Sequence, residues 1–380
     1  MIFKDILHKG MLLFLKPCIV FESVPDFSDN TYFVYDELVK RGYNKKYHLY
    51  WYIDYDKAAE YKNGEIVYWN PKDKSSICSY IRHLRYYKKY KATIFCNRLI
   101  VPETFPNSKN SFYLGHGVPL KNSSKYYQTP KEIEFCLAPS ETMRQVISYG
   151  HGYDINRIVA LGYPRNDALC NCSIDIKNIL SCEEDEKVII WYPTFKQHKS
   201  GVKTGSSHSI SFIYNEDNAQ ILNDYLIKNK VMLVVKPHFG QDMGYVKKTE
   251  LSNIRFINDD FYKENAIIPY SFIGSCDALL TDYSSVFFDY TLCDKPIGLI
   301  WEDLEEYKNN PGLNPDYEYL SQGTEKIYSL EDLKSFISRV ANGEDKLAIK
   351  RQEMSKVFNY SSDGKNAIRV VDYIVKKAKL

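Results

Sequence analysis

The chain has 380 residues, 44% hydrophobic and 26% charged, which suits a soluble globular protein of two domains rather than a disordered one. Its formal net charge of +2 excludes bulk attraction to nucleic acid, so any anion has to be held locally. Nine cysteines, odd in number and without a repeating spacing, point to reduced thiols in a cytosolic protein; the close pair Cys170 and Cys172 lacks the second pair or nearby histidine that a zinc site needs.

Met1 to Phe21 is apolar but interrupted by Lys4, Asp5, Lys9 and Lys16. It is too short and too charged to span a bilayer, and it has no small-residue cleavage site. Residues 1–16 suit a positively charged helix lying on a membrane surface, or a helix packed on the first domain. Cys18 to Phe21 then reads as a short buried strand, Glu22 to Asn30 as a polar loop and Thr31 to Lys40 as a helix. Further apolar runs at Tyr47 to Ile53, Ala92 to Cys96 and Ser111 to Leu114 are strands, the last running into His116. A helix from Ser140 to Ser148 opens on Ser140 as its N-cap, and the strand Ile158 to Leu161 leads into Gly162.

The polar patch Ser181 to Glu186 separates this set from a second one, with strands at Lys187 to Tyr192, Val231 to Val235, Arg255 to Ile257, Ala278 to Leu280 and Ile297 to Ile300. Strands alternating with helices predict parallel sheets covered on both faces. The expected fold class is therefore α/β of GT-B type: two Rossmann-like parallel-sheet domains, 1–172 and 173–380, with a cleft between them. Terminal helices are expected to pack back.

Four short segments each begin where a predicted strand ends, the place where open parallel sheets bind ligands. In Thr281-Asp282-Tyr283-Ser284-Ser285 a strand passes into a helix whose free N–H groups, with the hydroxyls of Ser284 and Ser285, suit a phosphate. Asp289, one turn on, would accept a polyol or ribose hydroxyl. Simple N-capping explains the same residues. Lys236-Pro237-His238 ends a buried strand in a cation, a rigid turn and an imidazole suited to acid chemistry, although a lone histidine is more often structural. Gly115-His116-Gly117 brackets a histidine with small residues that permit close substrate approach, or forms a tight turn with an incidental histidine. Arg165, after Gly162-Tyr163-Pro164, offers a planar fork for phosphate, and an interdomain salt bridge would use the same residue.

The sequence contains no G-x-x-x-x-G-K-[ST] loop, G-x-G-x-x-G, His-Glu-x-x-His or G-x-S-x-G. Asp54-Tyr55-Asp56 has the form of a metal-binding D-x-D but lies far from these segments. No metal ligand and no cofactor is therefore assigned.

The segments, in this order, resemble the CDP-glycerol glycerophosphotransferase family, which primes or polymerises teichoic acid and related capsule polymers. The resemblance runs from Val20-Phe21-Glu22-Ser23 and Asp29-Asn30 through His116-Gly117-Val118-Pro119-Leu120-Lys121, Gly162 to Asp167 and Tyr192-Pro193-Thr194. It continues through Lys236-Pro237-His238, Thr281 to Asp289, Lys295-Pro296 and Asp303 to Tyr307 to Asp363-Gly364-Lys365. It implies His116 and His238 as the catalytic pair. The implied donor site comprises Gly115, His116, Gly117, Val118, Pro119, Arg165, Pro193, Thr194, Lys236, Pro237, His238, Ser284, Ser285 and Asp289. Val118 stands where the family usually has threonine, and Gly115 where it has tryptophan.

The expected function is transfer of glycerol phosphate, or another polyol phosphate, from a CDP-polyol to a hydroxyl of a lipid-linked glycan or growing teichoic-acid-like polymer, with release of CMP. The expected setting is the cytoplasmic face of the cell membrane, on an anionic lipid surface, without nucleic acid or metal. CDP-ribitol transfer, nucleotide-sugar glycosyl transfer and a non-catalytic cell-wall scaffold are the alternatives.

Overall fold

The computed structural model describes residues 18–52, 67–69, 93–96, 110–122, 124, 133–194, 210–214, 216–237 and 251–380. His238, residues 1–16 and the Asp54-Tyr55-Asp56 segment lie outside the described residues.

Thirteen described strands form two sheets, parallel throughout. The first contains β1 (Cys18–Glu22), β2 (His48–Tyr52), β3 (Val67–Trp69), β4 (Thr93–Cys96), β5 (Asn110–Tyr113), β6 (Phe135–Ala138) and β7 (Ile158–Ala160), in the order β3-β2-β1-β4-β5-β6-β7. The second contains β8 (Lys187–Tyr192), β9 (Val231–Val235), β10 (Ile254–Phe256), β11 (Ala278–Thr281), β12 (Ile297–Ile300) and β13 (Glu325–Ile327), in the order β10-β9-β8-β11-β12-β13. This is the α/β architecture of GT-B type that strand and helix alternation predicts. The inner strands are apolar on both faces because helices cover both: every residue of β6, β9, β11 and β12 is buried.

Three of these strands escape the sequence patterns. β3 and β13 are three-residue edges, and Glu325 and Lys326 give β13 a polar start. β6 is only four residues long and has no β-branched side chain. The helix Glu141–His151 forms as expected, with the Ser140 hydroxyl accepting from the Met143 N–H at 3.3 Å, and it runs on to a left-handed Gly152.

The last helix, Asn366–Ala378, leaves the second sheet and packs beside the first. Val370, Val371 and Ile374 are buried, Tyr373 stands edge-on to Phe135 at 5.3 Å, and Asp372 pairs with Arg41 at 2.5 Å. Asp167 accepts from the backbone N–H groups of Asn366 and Ala367, both at 2.8 Å, and so caps this helix from the first unit. A side chain at Gly162, whose φ is +87°, would overlap Asn366. Two residues of the Gly162-to-Asp167 segment are thus used to close the fold.

Candidate active site

In each sheet the chain order reverses once, between β1 and β4 and between β8 and β11. The second reversal carries most of the expected donor-side residues, because Pro193 and Thr194 follow β8, Lys236 and Pro237 follow the adjacent β9, and Asp282 to Ser285 follow β11. Asp282, 2% exposed, accepts from the Thr194 N–H at 2.9 Å and from its hydroxyl at 2.8 Å, and Trp301 Nε1 donates to its carbonyl at 3.2 Å. This carboxylate therefore ties the ends of β8 and β11 together. Asp282 was not singled out by sequence reasoning, although it stands inside the Thr281-to-Ser285 segment.

The helix after Ser285 is short, Val286–Tyr290, and continues as a 3-10 turn to Cys293. Ser285 occupies its N-cap without a side-chain cap bond, so simple capping does not account for this hydroxyl. Ser284 accepts only at 3.5 Å, from the Val286 N–H. Both serines are half-buried. Lys236 pairs with Asp259 at 2.9 Å at the rim of the same edge.

From the first sheet, the turn after β5 delivers Gly115 to Pro119. Gly117 has φ +148°, and a Cβ there would lie 2.8 Å from Ser285 Cβ, overlap Ser285 Oγ and approach Arg165 Nη2 at 3.6 Å. Three of the four segments therefore meet at one point between the sheets. Val118 and Pro119 are buried behind the turn, whereas His116 is exposed. The Tyr113 hydroxyl lies 3.3 Å from His116 Nδ1. Tyr163 packs under Gly115, its hydroxyl 3.2 Å from where a Cβ would sit, and burial pushes its proton affinity up.

Arg165 is 4% exposed and committed to protein acceptors. Its Nη1 donates to Asp29 Oδ1 at 2.8 Å and to the His116 carbonyl at 2.7 Å, and its Nη2 donates to Asp289 Oδ2 at 2.7 Å. Its guanidinium lies 5.2 Å from the Tyr163 ring centroid and 4.9 Å from that of Tyr270. Burial works against the charge, but Asp29, Tyr270 and Asp289 outweigh it and hold the arginine's proton affinity well above its usual value. Of the two uses the sequence allowed, the ion pair is the one observed, and it joins Asp29, before the second strand of the first sheet, to Asp289, after β11 of the second. A phosphate fork would have to give up the pairs that neutralise two carboxylates.

Asp289 differs from expectation in the same way. It is 2% exposed and accepts from Arg165, from Tyr270 at 2.7 Å and from Asn166 at 3.1 Å, so it serves this buried tie rather than presenting a carboxylate to a ribose or polyol hydroxyl. Asn30 completes the frame. Its Nδ2 donates to the carbonyls of Leu114 at 2.9 Å and Gly115 at 3.2 Å, and its Oδ1 accepts from the Arg165 N–H at 3.1 Å. The pairing of Asp29 with Arg165 crosses 136 positions of sequence, which no local pattern could announce.

A family model described as CDP-Glycerol:Poly(glycerophosphate) glycerophosphotransferase matches residues 8–376. The teichoic acid poly(glycerol phosphate) polymerase of Bacillus subtilis (strain 168) is 22% identical over 390 residues, covering 95% of this chain and 49% of that protein. The corresponding polymerase of Bacillus spizizenii is 24% identical over 351 residues, covering 84% of each. The chain thus spans about half the length of the first relative and most of the second. The solved wall teichoic acid polymerase TagF superposes with a TM-score of 0.68 at 21% identity, over 95% of this chain and 89% of that one, and so shares the fold.

Proposed function

The chain belongs to the CDP-glycerol:poly(glycerophosphate) glycerophosphotransferase family, and from that premise we propose that it transfers glycerol phosphate from CDP-glycerol to a hydroxyl of a growing polyol-phosphate polymer. The observation that carries this reading is the meeting of Gly117 with Ser285, which sets the His116 turn of one sheet against the Ser284–Ser285 hydroxyls of the other. A pyrophosphate-linked donor bound along the second sheet would then face an acceptor hydroxyl beside His116.

In this mechanism the acceptor oxygen attacks the phosphorus that bears glycerol. A new P–O bond forms, the P–O bond to the CMP phosphate breaks, and the hydroxyl proton passes to His116. CMP leaves with the electron pair, and His238 is assigned to stabilise or protonate it. Ser284 and Ser285 would hold the phosphates with Lys236 nearby, Thr194 giving its donors to Asp282, while Arg165, Asp29 and Asp289 keep the sheets in register. The contribution is positioning and charge stabilisation, without a covalent enzyme intermediate.

The deciding experiment offers the purified chain CDP-glycerol, CDP-ribitol and UDP-sugars with a polyol-phosphate acceptor, and follows CMP and UDP release. CMP from CDP-glycerol alone, with the acceptor lengthened, is expected. CMP from CDP-ribitol would move the donor to ribitol, and UDP release would replace the reading with glycosyl transfer.

The acceptor is proposed to be lipid-linked and the enzyme to work on the inner surface of the cell membrane. No helix among the described residues is long and apolar enough to cross a membrane. Residues 1–16 combine Phe3, Ile6, Leu7 and Leu12 with Lys4 and Lys9, which suits an anionic surface. Deleting them should release the protein from anionic liposomes while sparing turnover of a short soluble acceptor; unchanged sedimentation would place the contact elsewhere.

A further inference from the structure

His116 is exposed at the mouth of the site, so its ring direction and its tautomer have to be set by a neighbour. Tyr113, the last residue of β5, is placed to do this. Its backbone is fixed by parallel pairing with Cys96 of β4 and Cys136 of β6. Its ring is 5% exposed and stands edge-on to Tyr153 at 5.8 Å. Tyr153 in turn packs on His151 at 5.1 Å, at the end of the helix Glu141–His151. A phenol whose backbone is paired on both sides and whose ring packs on Tyr153 presents its oxygen at a defined point, 3.3 Å from His116 Nδ1.

We propose that Tyr113 is a positioning residue for the transfer reaction: its oxygen accepts a hydrogen bond from His116 Nδ1–H, which turns the Nε2 lone pair toward the acceptor hydroxyl. The inference rests on the reading of His116 as general base. A base must carry its lone pair on the nitrogen that meets the substrate, and in neutral imidazole that choice is made by whatever bonds the other nitrogen. Removing the tyrosine oxygen removes this selection of tautomer and ring direction, so a smaller part of the population is productive. Arg165 supports the same geometry from the backbone side by donating to the His116 carbonyl at 2.7 Å.

The test is Tyr113→Phe, which keeps the packed ring and removes one oxygen. In protein labelled with ¹⁵N-histidine, with the His116 signals assigned by comparison with His116→Gln, the wild type should show the Nδ1–H tautomer. Tyr113→Phe should move the signals toward the Nε2–H form. Turnover should fall roughly tenfold or more while KM for CDP-glycerol stays within about twofold, since the loss concerns proton transfer and not donor binding. Identical ¹⁵N shifts in wild type and Tyr113→Phe, or a wild type already in the Nε2–H form, overturns the proposal. A shifted tautomer with unchanged turnover also overturns it. If His116→Ala itself retains full turnover, the base reading fails on its own, and the ¹⁵N comparison still decides whether Tyr113 sets the tautomer.

Discussion

Gly117 of the first sheet and Ser285 of the second approach so closely that a Cβ on Gly117 would lie 2.8 Å from Ser285 Cβ and overlap its hydroxyl oxygen. Glycine is required there twice, for the contact and for a φ of +148°, which side chains other than hydrogen rarely adopt. The contact makes the two sheets parts of one site, because the His116 turn cannot move without moving against the serine pair.

Gly117→Ala should therefore destabilise the protein by about 2–4 kcal/mol, combining backbone strain with steric overlap. Adding Ser285→Gly should return part of that loss, since it removes the overlap but not the strain. Urea titrations of the two single variants and the double variant form the cycle. Strictly additive losses would mean that the residues do not meet in solution.

Arg165 separates a structural cation from a substrate clamp. Arg165→Met leaves Asp29 and Asp289 without their shared partner, and the loss of one member of a buried ion pair costs about 3–5 kcal/mol. Arg165→Lys should recover little, because one ammonium cannot reach Asp29, the His116 carbonyl and Asp289 together. If Arg165→Met keeps wild-type stability and only weakens CDP-glycerol binding, the arginine serves the substrate after all.

His116 should behave in the opposite way. It is exposed, so His116→Ala is expected to change stability by less than about 0.5 kcal/mol. Turnover should drop on the order of 10²-fold or more, the range for a lost general base. The same activity loss is expected for His238→Ala. Near-normal turnover per folded molecule in either variant removes that histidine from the chemistry.

The sequence made the sheets legible because their inner strands are continuous apolar runs, and it made the site legible because its segments start where those runs stop. What it hid was the direction of each polar side chain. Arg165 reads as either phosphate-facing or salt-bridged and Asp289 as hydroxyl-facing until Asp29, Tyr270 and Asn166 are brought around them, and those partners come from segments that only the fold assembles. Gly162 and Asp167 read as parts of a cleft loop, yet both hold the last helix, some 200 residues away in sequence. Tyr113 sits in an ordinary strand pattern, and nothing in its spacing signals that its hydroxyl returns to His116.

His151 provides a pH signature of the same region. It ends its helix where the dipole would favour an imidazolium, but burial, followed by the nearness of His116 and Lys121, pushes its proton affinity down to about 3. An unfolded histidine takes up its proton near pH 6.5. Between that pH and about 3 the unfolded chain therefore holds more protons than the folded one, so stability falls as pH drops through this window, while above 6.5 the effect is absent. A fully buried group would lose up to about 1.4 kcal/mol per pH unit. His151 is only partly covered, so about 1 kcal/mol at pH 5 is expected. His151→Gln keeps a polar side chain and removes the titration, so the difference in unfolding free energy between pH 7.5 and pH 5 should shrink by about that amount relative to wild type. Urea denaturation at the two pH values measures it, and parallel losses in wild type and variant would show that His151 already carries its proton in the folded state.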